Sequence, residues 1–290
     1  MLCQRLSLRF PDVLAILAAA ILTTSALVAA QTATVLHTFS RSGGDYPIGG
    51  LAIDAAGNLY GMTAQGGAHK RGTVFEISPD GNGGWTEKTL YSFGAYELDG
   101  FYPQGNLTLD AAGNLYGTTL LGGAQANRET LNSPAGTVFR LSPNPDGSWS
   151  EKILYSFGAY LDGAGPTGSL VFDAWGHIFG ATFLGGTGEK CNGGGGGCGT
   201  LFELAPNGHG GWVERILYSF NVTSTADGGY PQTGLVSDAA GNLYGVTWFG
   251  GGAGSGTVFE LRRNSGGGWS ERVLHSFDSA DAAGSVPSGG

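Results

Sequence analysis

Charge is scarce in this sequence. Only 13% of its 290 residues are charged, and 14 basic side chains against 23 acidic ones leave a net charge of −9. A surface of that sign repels phosphate backbones and anionic lipid, which excludes nucleic acid and membrane surfaces as partners. Catalytic punctuation is missing as well. No Gly-x-Ser-x-Gly, His-Glu-x-x-His or phosphate-cradling Gly-x-x-x-x-Gly-Lys occurs, so serine hydrolases, zinc peptidases and P-loop enzymes find no support. Gly194 to Gly199 fits Gly-x-Gly-x-x-Gly only because nearly every residue there is glycine. His37, His69, His177, His209 and His275 are scattered, and no catalytic residue or cofactor is expected.

Cysteine is nearly absent too. Cys3 lies in an N-terminal stretch in which Arg5 and Arg9 precede an apolar run from Val13 to Ala30. Val28-Ala29-Ala30 offers small residues before Gln31, the pattern of a cleaved secretory signal over residues 1–30. The same run of 18 residues also reaches the length of an anchor. Removing Arg5, Arg9 and Asp12 makes the remainder slightly more acidic, with no membrane insertion expected after cleavage. Cys191 and Cys198 then remain as an even count in an oxidising compartment, which predicts a local disulfide. Closing so short a loop stabilises by roughly 2.5 kcal/mol on the chain-entropy model. Two thiols without a nearby His do not make a metal site.

What is abundant is glycine, 55 residues, set among 41% apolar residues. Disordered chains are poor in aromatics, but here Tyr, Phe and Trp recur at fixed places between the glycines. The recurrence has a period. Asp54-Ala-Ala-Gly-Asn-Leu-Tyr-Gly-Met-Thr63 returns from Asp110 and from Asp238, and a divergent copy runs Asp173-Ala-Trp-Gly-His-Ile-Phe-Gly-Ala-Thr182. This is an internal repeat, around which the rest of the chain is organised.

Each period holds four strand signals separated by turn signals. An inner strand of type A is predicted at Gly50 to Asp54, Asn106 to Asp110, Ser169 to Asp173 and Gly234 to Asp238. A tight Asp-Ala-Ala-Gly-Asn turn leads into strand B, Asn58 to Thr63 and its copies. Strand C begins at Gly72, Gly136, Gly199 and Gly256, and strand D at Trp85, Trp149, Trp212 and Trp269. Glu87-Lys88, Glu151-Lys152, Glu214-Arg215 and Glu271-Arg272 place charge at one register of D alone, which predicts a solvated outer edge. The expectation is an all-β propeller domain over 31–290, with four-stranded antiparallel blades at about 50–93, 105–157, 168–220 and 234–277. A leading D-like strand, Thr34 to Phe39, precedes them. Four complete blades and a spare strand also fit a piece of a larger ring.

These motifs, with the pairs Gly66-Gly67, Gly122-Gly123, Gly185-Gly186 and Gly250-Gly251 and the run Gly-Thr-Val-Phe-Glu-Leu, resemble the GloVer (Gloeo/Verruco) tandem repeat. The resemblance covers essentially residues 35 to 290. It implies exported or cell-surface bacterial proteins with a propeller-type fold and no established enzymatic activity. It supplies no catalytic residues. The third copy departs from the pattern at Trp175, His177, Ile178, Phe179 and Leu201.

Antiparallel alternation puts the A–B and C–D turns at one end of the blades and the B–C and D–A loops at the other. The B–C loops vary in length, and variable loops on a rigid scaffold are where binding usually sits. That end also carries Asp-Gly-x-x-Pro from Asp99, Asp162 and Asp227, shortened to Gly44-Asp45-Tyr-Pro47. Candidate binding residues are Asp99, Tyr102, Asp162, Asp227, Tyr230 and Trp248, toward a glycan or cell-surface polymer. The plainer reading is turn chemistry repeated in each blade. The expected function is a non-catalytic extracellular binding or scaffold module. The alternative is a carbohydrate-active hydrolase or lyase, for which Glu97, Arg128, Glu189 and Lys190 are the non-repeated loop residues.

Overall fold

The structure, a computed structural model, describes residues 33–124, 135–158, 162–188, 191, 197–222 and 227–278. The leader predicted over 1–30 lies outside them, as do Arg128, Glu189 and Lys190. Met1–Leu36 and His37–Gly290 are separate units, and of the first only residues 33–36 are described, exposed and without strand pairing.

All regular structure among the described residues is β. The first sheet pairs β1 (Asp45–Ile53), β2 (Leu59–Gln65), β3 (Thr73–Pro79) and β4 (Trp85–Ser92) in chain order. The second repeats this with β5 (Gly100–Leu109), β6 (Leu115–Gly122), β7 (Thr137–Pro143) and β8 (Trp149–Ser156). The third uses β9 (Ala164–Phe172), β10 (Ile178–Leu184), β11 (Thr200–Pro206) and β12 (Trp212–Ser219). In the fourth the inner strand is split into β13 (Gly228–Pro231) and β14 (Val236–Ser237), both paired with β15 (Leu243–Gly250), followed by β16 (Thr257–Arg263) and β17 (Trp269–Ser276). Every pairing between these strands is antiparallel. These are the four blades of the propeller expected from the repeat.

Two strand expectations change. The A strands are longer than the sequence pattern suggests, because Asp-Gly-x-x-Pro forms their first half, joined to the second by a register shift between Ile48 and Ala52 or Gln104 and Thr108. Proline is tolerated there because an A strand pairs on one side only and needs no amide on the other. The leading segment His37 to Phe39 does not pair as a strand, yet Phe39 stacks 4.8 Å from Phe75.

Blades stack through one recurring contact. The last Phe of a D strand inserts against the Phe of the next C strand: Phe93 on Phe139 at 5.1 Å, Phe157 on Phe202 at 5.0 Å, Phe220 on Phe259 at 5.3 Å. Each of the six rings is fully buried. Burial contributes about 2–3 kcal/mol per ring, and each aromatic pair about 1 kcal/mol more. One hydrophobic cluster therefore fills each junction, from first and second blade to third and fourth.

The A strands are innermost. They lie against one another so closely that a Cβ on Gly49 would stand 2.1 Å from the Gly105 carbonyl oxygen, and one on Gly105 would stand 2.4 Å from that of Gly168. Only glycine permits such an approach. The D strands of neighbouring blades barely touch. Among the described residues the fourth sheet does not return to pack on the first, so the four blades form an open arc.

Candidate functional site

At the variable-loop end, the repeated Asp-Gly-x-x-Pro is a joint between blades. Asp99 is 2% exposed, and its carboxylate accepts from Tyr91 Oη at 2.8 Å and from the amides of Gly94 and Ala95 at 2.6 and 2.9 Å. Asp162 accepts from Tyr155 Oη at 3.0 Å. Asp227 accepts from Tyr218 Oη at 3.0 Å and from the amides of Asn221 and Gly228. Burial, working against these hydrogen bonds, holds Asp99 and Asp227 above the usual carboxylate range.

The tyrosines of the element act first through their backbones. Tyr102 and Tyr230 have φ of 55° and 57°, the left-handed region that side chains rarely adopt, and in the third blade Gly165 takes the place at 63°. The turn aims each amide back at the preceding blade. Tyr102 donates to Arg71 O at 3.1 Å, Gly165 to Ala135 O at 2.8 Å and Tyr230 to Cys198 O at 2.7 Å. These inter-blade bonds explain why the element recurs.

Trp248 stands apart. The equivalent positions hold Ala64, Leu120 and Phe183. Its indole is 41% exposed, 6.3 Å from the Phe183 ring and 6.5 Å from Tyr230, which itself lies 5.1 Å from Phe183. Of the six candidate residues, the structure thus brings Tyr230 and Trp248 together, at the junction of the third and fourth blades. The Cys191–Cys198 disulfide, with Cα atoms 5.3 Å apart, adjoins this junction, since the Tyr230 amide donates to Cys198 O.

The glutamates of the D strands are not on a solvated edge. Lys88 and Lys152 point outward and donate to the next blade's turn, at Gly147 O and Gly210 O, each at 2.8 Å. Glu151, Glu214 and Glu271 turn inward to the junctions. Burial, reinforced by the charges of Asp99, Asp162 and Asp227 respectively, pushes each up to about 7. The sequence places the charges on D but not the side each one faces. Among the described residues no three His, Cys, Asp or Glu side chains converge as a metal site.

The opposite end holds a cleft that the sequence reading passed over. About 370 Å³ lies between the A–B turn of the third blade and the fourth blade, lined by Trp175, Phe172, Asp173, Asp238, Arg263 and Trp269 among others. Trp175 is 73% exposed. The Arg263 guanidinium lies 4.9 Å over the Trp269 ring and 3.8 Å from Glu203. His177 Nδ1 lies 2.9 Å from Glu203 and 3.2 Å from Asp173. The signal was present in the repeat: Trp175 stands where Ala56, Ala112 and Ala240 stand, and Arg263 where Pro79, Pro143 and Pro206 stand.

The sequence pattern of the Gloeobacter/Verrucomicrobia repeat matches residues 23–192 and 132–290. No curated protein matches the chain. Among solved structures, a protein of unknown function from Dyadobacter fermentans DSM 18053 is 14% identical with a TM-score of 0.47, covering 82% of this chain and 71% of that one. A levansucrase variant from B. megaterium is 11% identical with a TM-score of 0.45, covering 80% and 68%. An alpha-L-arabinofuranosidase from Clostridium thermocellum ATCC 27405 is 11% identical with a TM-score of 0.41, covering 80% and 73%.

Proposed function

We propose, for a chain that belongs to the Gloeobacter/Verrucomicrobia repeat family, a non-catalytic binding role outside the cytoplasm, exercised at the variable-loop end of the blades. The observation that carries it is the contrast at that end. Asp99 and Asp227 are buried and bonded within the fold, whereas Trp248 offers an exposed ring beside Tyr230 and Phe183. Acids engaged in turns are poor proton-transfer groups, while an exposed aromatic platform stacks on sugar rings and other flat apolar faces. The ligand class is a glycan or cell-surface polymer. The disulfide and the leader-like first thirty residues support an oxidising, extracytoplasmic location.

A glycan array combined with reducing-sugar release tests this. Saturable binding without turnover, weakened about tenfold or more by Trp248→Ala, is the expected result. Turnover overturns it. A carbohydrate-active enzyme is the second reading, favoured by glutamates raised to about 7, where a general acid works. Against it, the same arrangement recurs at three junctions, and a single active site does not come in triplicate. Sugar release abolished by one of Glu151→Gln, Glu214→Gln or Glu271→Gln establishes the enzyme.

A further inference from the structure

We infer that the cleft between the third and fourth blades, at the A–B turn end, is a second binding site, for a neutral saccharide. It lies at the opposite end from the Trp248 patch and does not depend on it. The repeat serves as an internal control. Among the lining residues that break the pattern are two that add a large side chain to the cleft, and they come from different blades. The third blade replaces alanine with Trp175, and the fourth replaces proline with Arg263. Neither change is needed for the fold, since the other copies build the same turn and the same strand end with Ala and Pro.

Both changes add what a sugar site needs. Trp175 is 73% exposed, a large apolar surface that no neighbour covers. An indole in that state offers its face to the C–H side of a pyranose ring. The Arg263 Cζ lies 4.9 Å over the Trp269 ring, a contact that holds the guanidinium at the cleft. Its contact with Glu203 is long, 3.8 Å, and a guanidinium has five N–H donors, so donors remain for ring hydroxyls. Phe172, Phe179 and Trp269 supply an apolar floor. About 370 Å³ is at the lower end of ligand-site volumes, the size of one or two sugar rings.

Charge decides between neutral and acidic sugars. Asp173 and Asp238 line the cleft, and hydrogen bonds from the Asn242 side chain and amide hold the Asp238 carboxyl down at about 2. Glu203 stands behind them, shared by His177, Arg215 and Arg263. Of the two guanidiniums near Glu203 only Arg263 lines the cleft, where it meets the carboxylates of Asp173 and Asp238, a balance that disfavours a uronate. A hydroxylated neutral ring meets no such repulsion.

The test is isothermal titration of the full chain with β-1,4-, α-1,4- and β-1,3-linked glucose hexaoses, with hexagalacturonate as the acidic comparator. At least one neutral hexaose is expected to bind saturably. Trp175→Ala should weaken it about tenfold or more, and Arg263→Pro about threefold, while Trp248→Ala leaves it unchanged. Both substitutions restore the residue other repeats carry, so thermal unfolding should stay within about 2 °C of the parent. No neutral binding, binding indifferent to Trp175→Ala, or preference for hexagalacturonate overturns the inference. Loss with Trp248→Ala alone removes this cleft and leaves the variable-loop site standing.

Discussion

The A–B turn of the fourth blade and that of the third use different side chains to hold the same backbone. In the fourth, Asp238 Oδ1 accepts from the amides of Ala240 and Asn242, both at 2.9 Å. Its Oδ2 accepts from the Asn242 side chain at 2.8 Å and from Tyr244 Oη at 2.9 Å, and that hydroxyl is also 3.0 Å from Glu260. In the third, Asp173 Oδ1 keeps both amides, Trp175 and His177, at 2.9 Å. The other oxygen has neither Asn nor Tyr to bind, because His177 and Phe179 replace them. Instead His177 Nδ1 sits between Asp173 and Glu203, where Tyr244 Oη sits between Asp238 and Glu260. The third copy thus keeps a polar ring atom between the two carboxylates, but at ion-pair distance only: His177 Nδ1 makes no hydrogen bond to either, where Tyr244 Oη bonds both.

The strongest way to break that comparison is to remove the aspartate from a regular turn and from the divergent one. In the second blade Asp110 accepts four hydrogen bonds, from the amides of Ala112 and Asn114, the Asn114 side chain and Tyr116 Oη. At about 0.5–1 kcal/mol each, Asp110→Ala should cost about 2–4 kcal/mol. Asp173→Ala loses two such amide bonds and the His177 contact, about 1–2 kcal/mol. Urea unfolding of the two variants checks the order. Equal costs would mean that the side-chain half of the turn contributes nothing.

How much of this was legible in the sequence depends on whether a feature repeats. Four strands per period, the A–B turn and the local disulfide all follow from spacing, because each is closed by residues near in the chain. The length of the A strands was missed because Pro103 and Tyr102 signal a loop, and what keeps them in a strand is a bond to Arg71 in the preceding blade. The inward turn of Glu151 was missed for the same reason. The cleft joins Trp175 to Arg263 across a blade junction that no spacing displays. Trp175 was visible as a departure, but its partner is identified only by the stacking of blades.

A second comparison, smaller in effect, sets Glu87 against Glu151. Glu151 meets Tyr96 Oη at 2.8 Å and feels the charge of Asp99, and burial first of all raises it to about 7. Glu87 faces no aspartate: Gly43 occupies that position, and His37, where other blades have tyrosine, lies 3.6 Å away. A carboxyl whose folded pKa is raised above the unfolded value of 4.5 contributes fully below that value and loses its contribution as pH climbs through about 7. Glu151, Glu214 and Glu271 should each remove about 1 kcal/mol between pH 4.5 and 7.5, after discounting for solvent screening. Thermal unfolding across that range should therefore show stability falling with pH, and each of Glu151→Gln, Glu214→Gln and Glu271→Gln should flatten the profile by its share. A profile that rises over this window contradicts the burial of these groups.

The sharpest test of compensation has the smallest net effect. If His177 does for the third turn what Tyr244 does for the fourth, then His177→Asn alone leaves Asp173 and Glu203 facing each other without a bridging group. Glu203 is 6% exposed, so the loss should cost about 1–2 kcal/mol. Phe179→Tyr alone brings a hydroxyl to a place the imidazole already fills, and overpacking of a residue 3% exposed costs about 1 kcal/mol or more. Together the two changes rebuild the Asn242–Tyr244 arrangement around Asp173 and should fall within about 0.5 kcal/mol of the parent. The coupling between them is then about 2–3 kcal/mol, at the upper end for residues in contact. Additive losses in urea unfolding would show that His177 does not stand in for the tyrosine. In that case the third turn is held by its two amide bonds alone, and the imidazole is free to serve the cleft beside it.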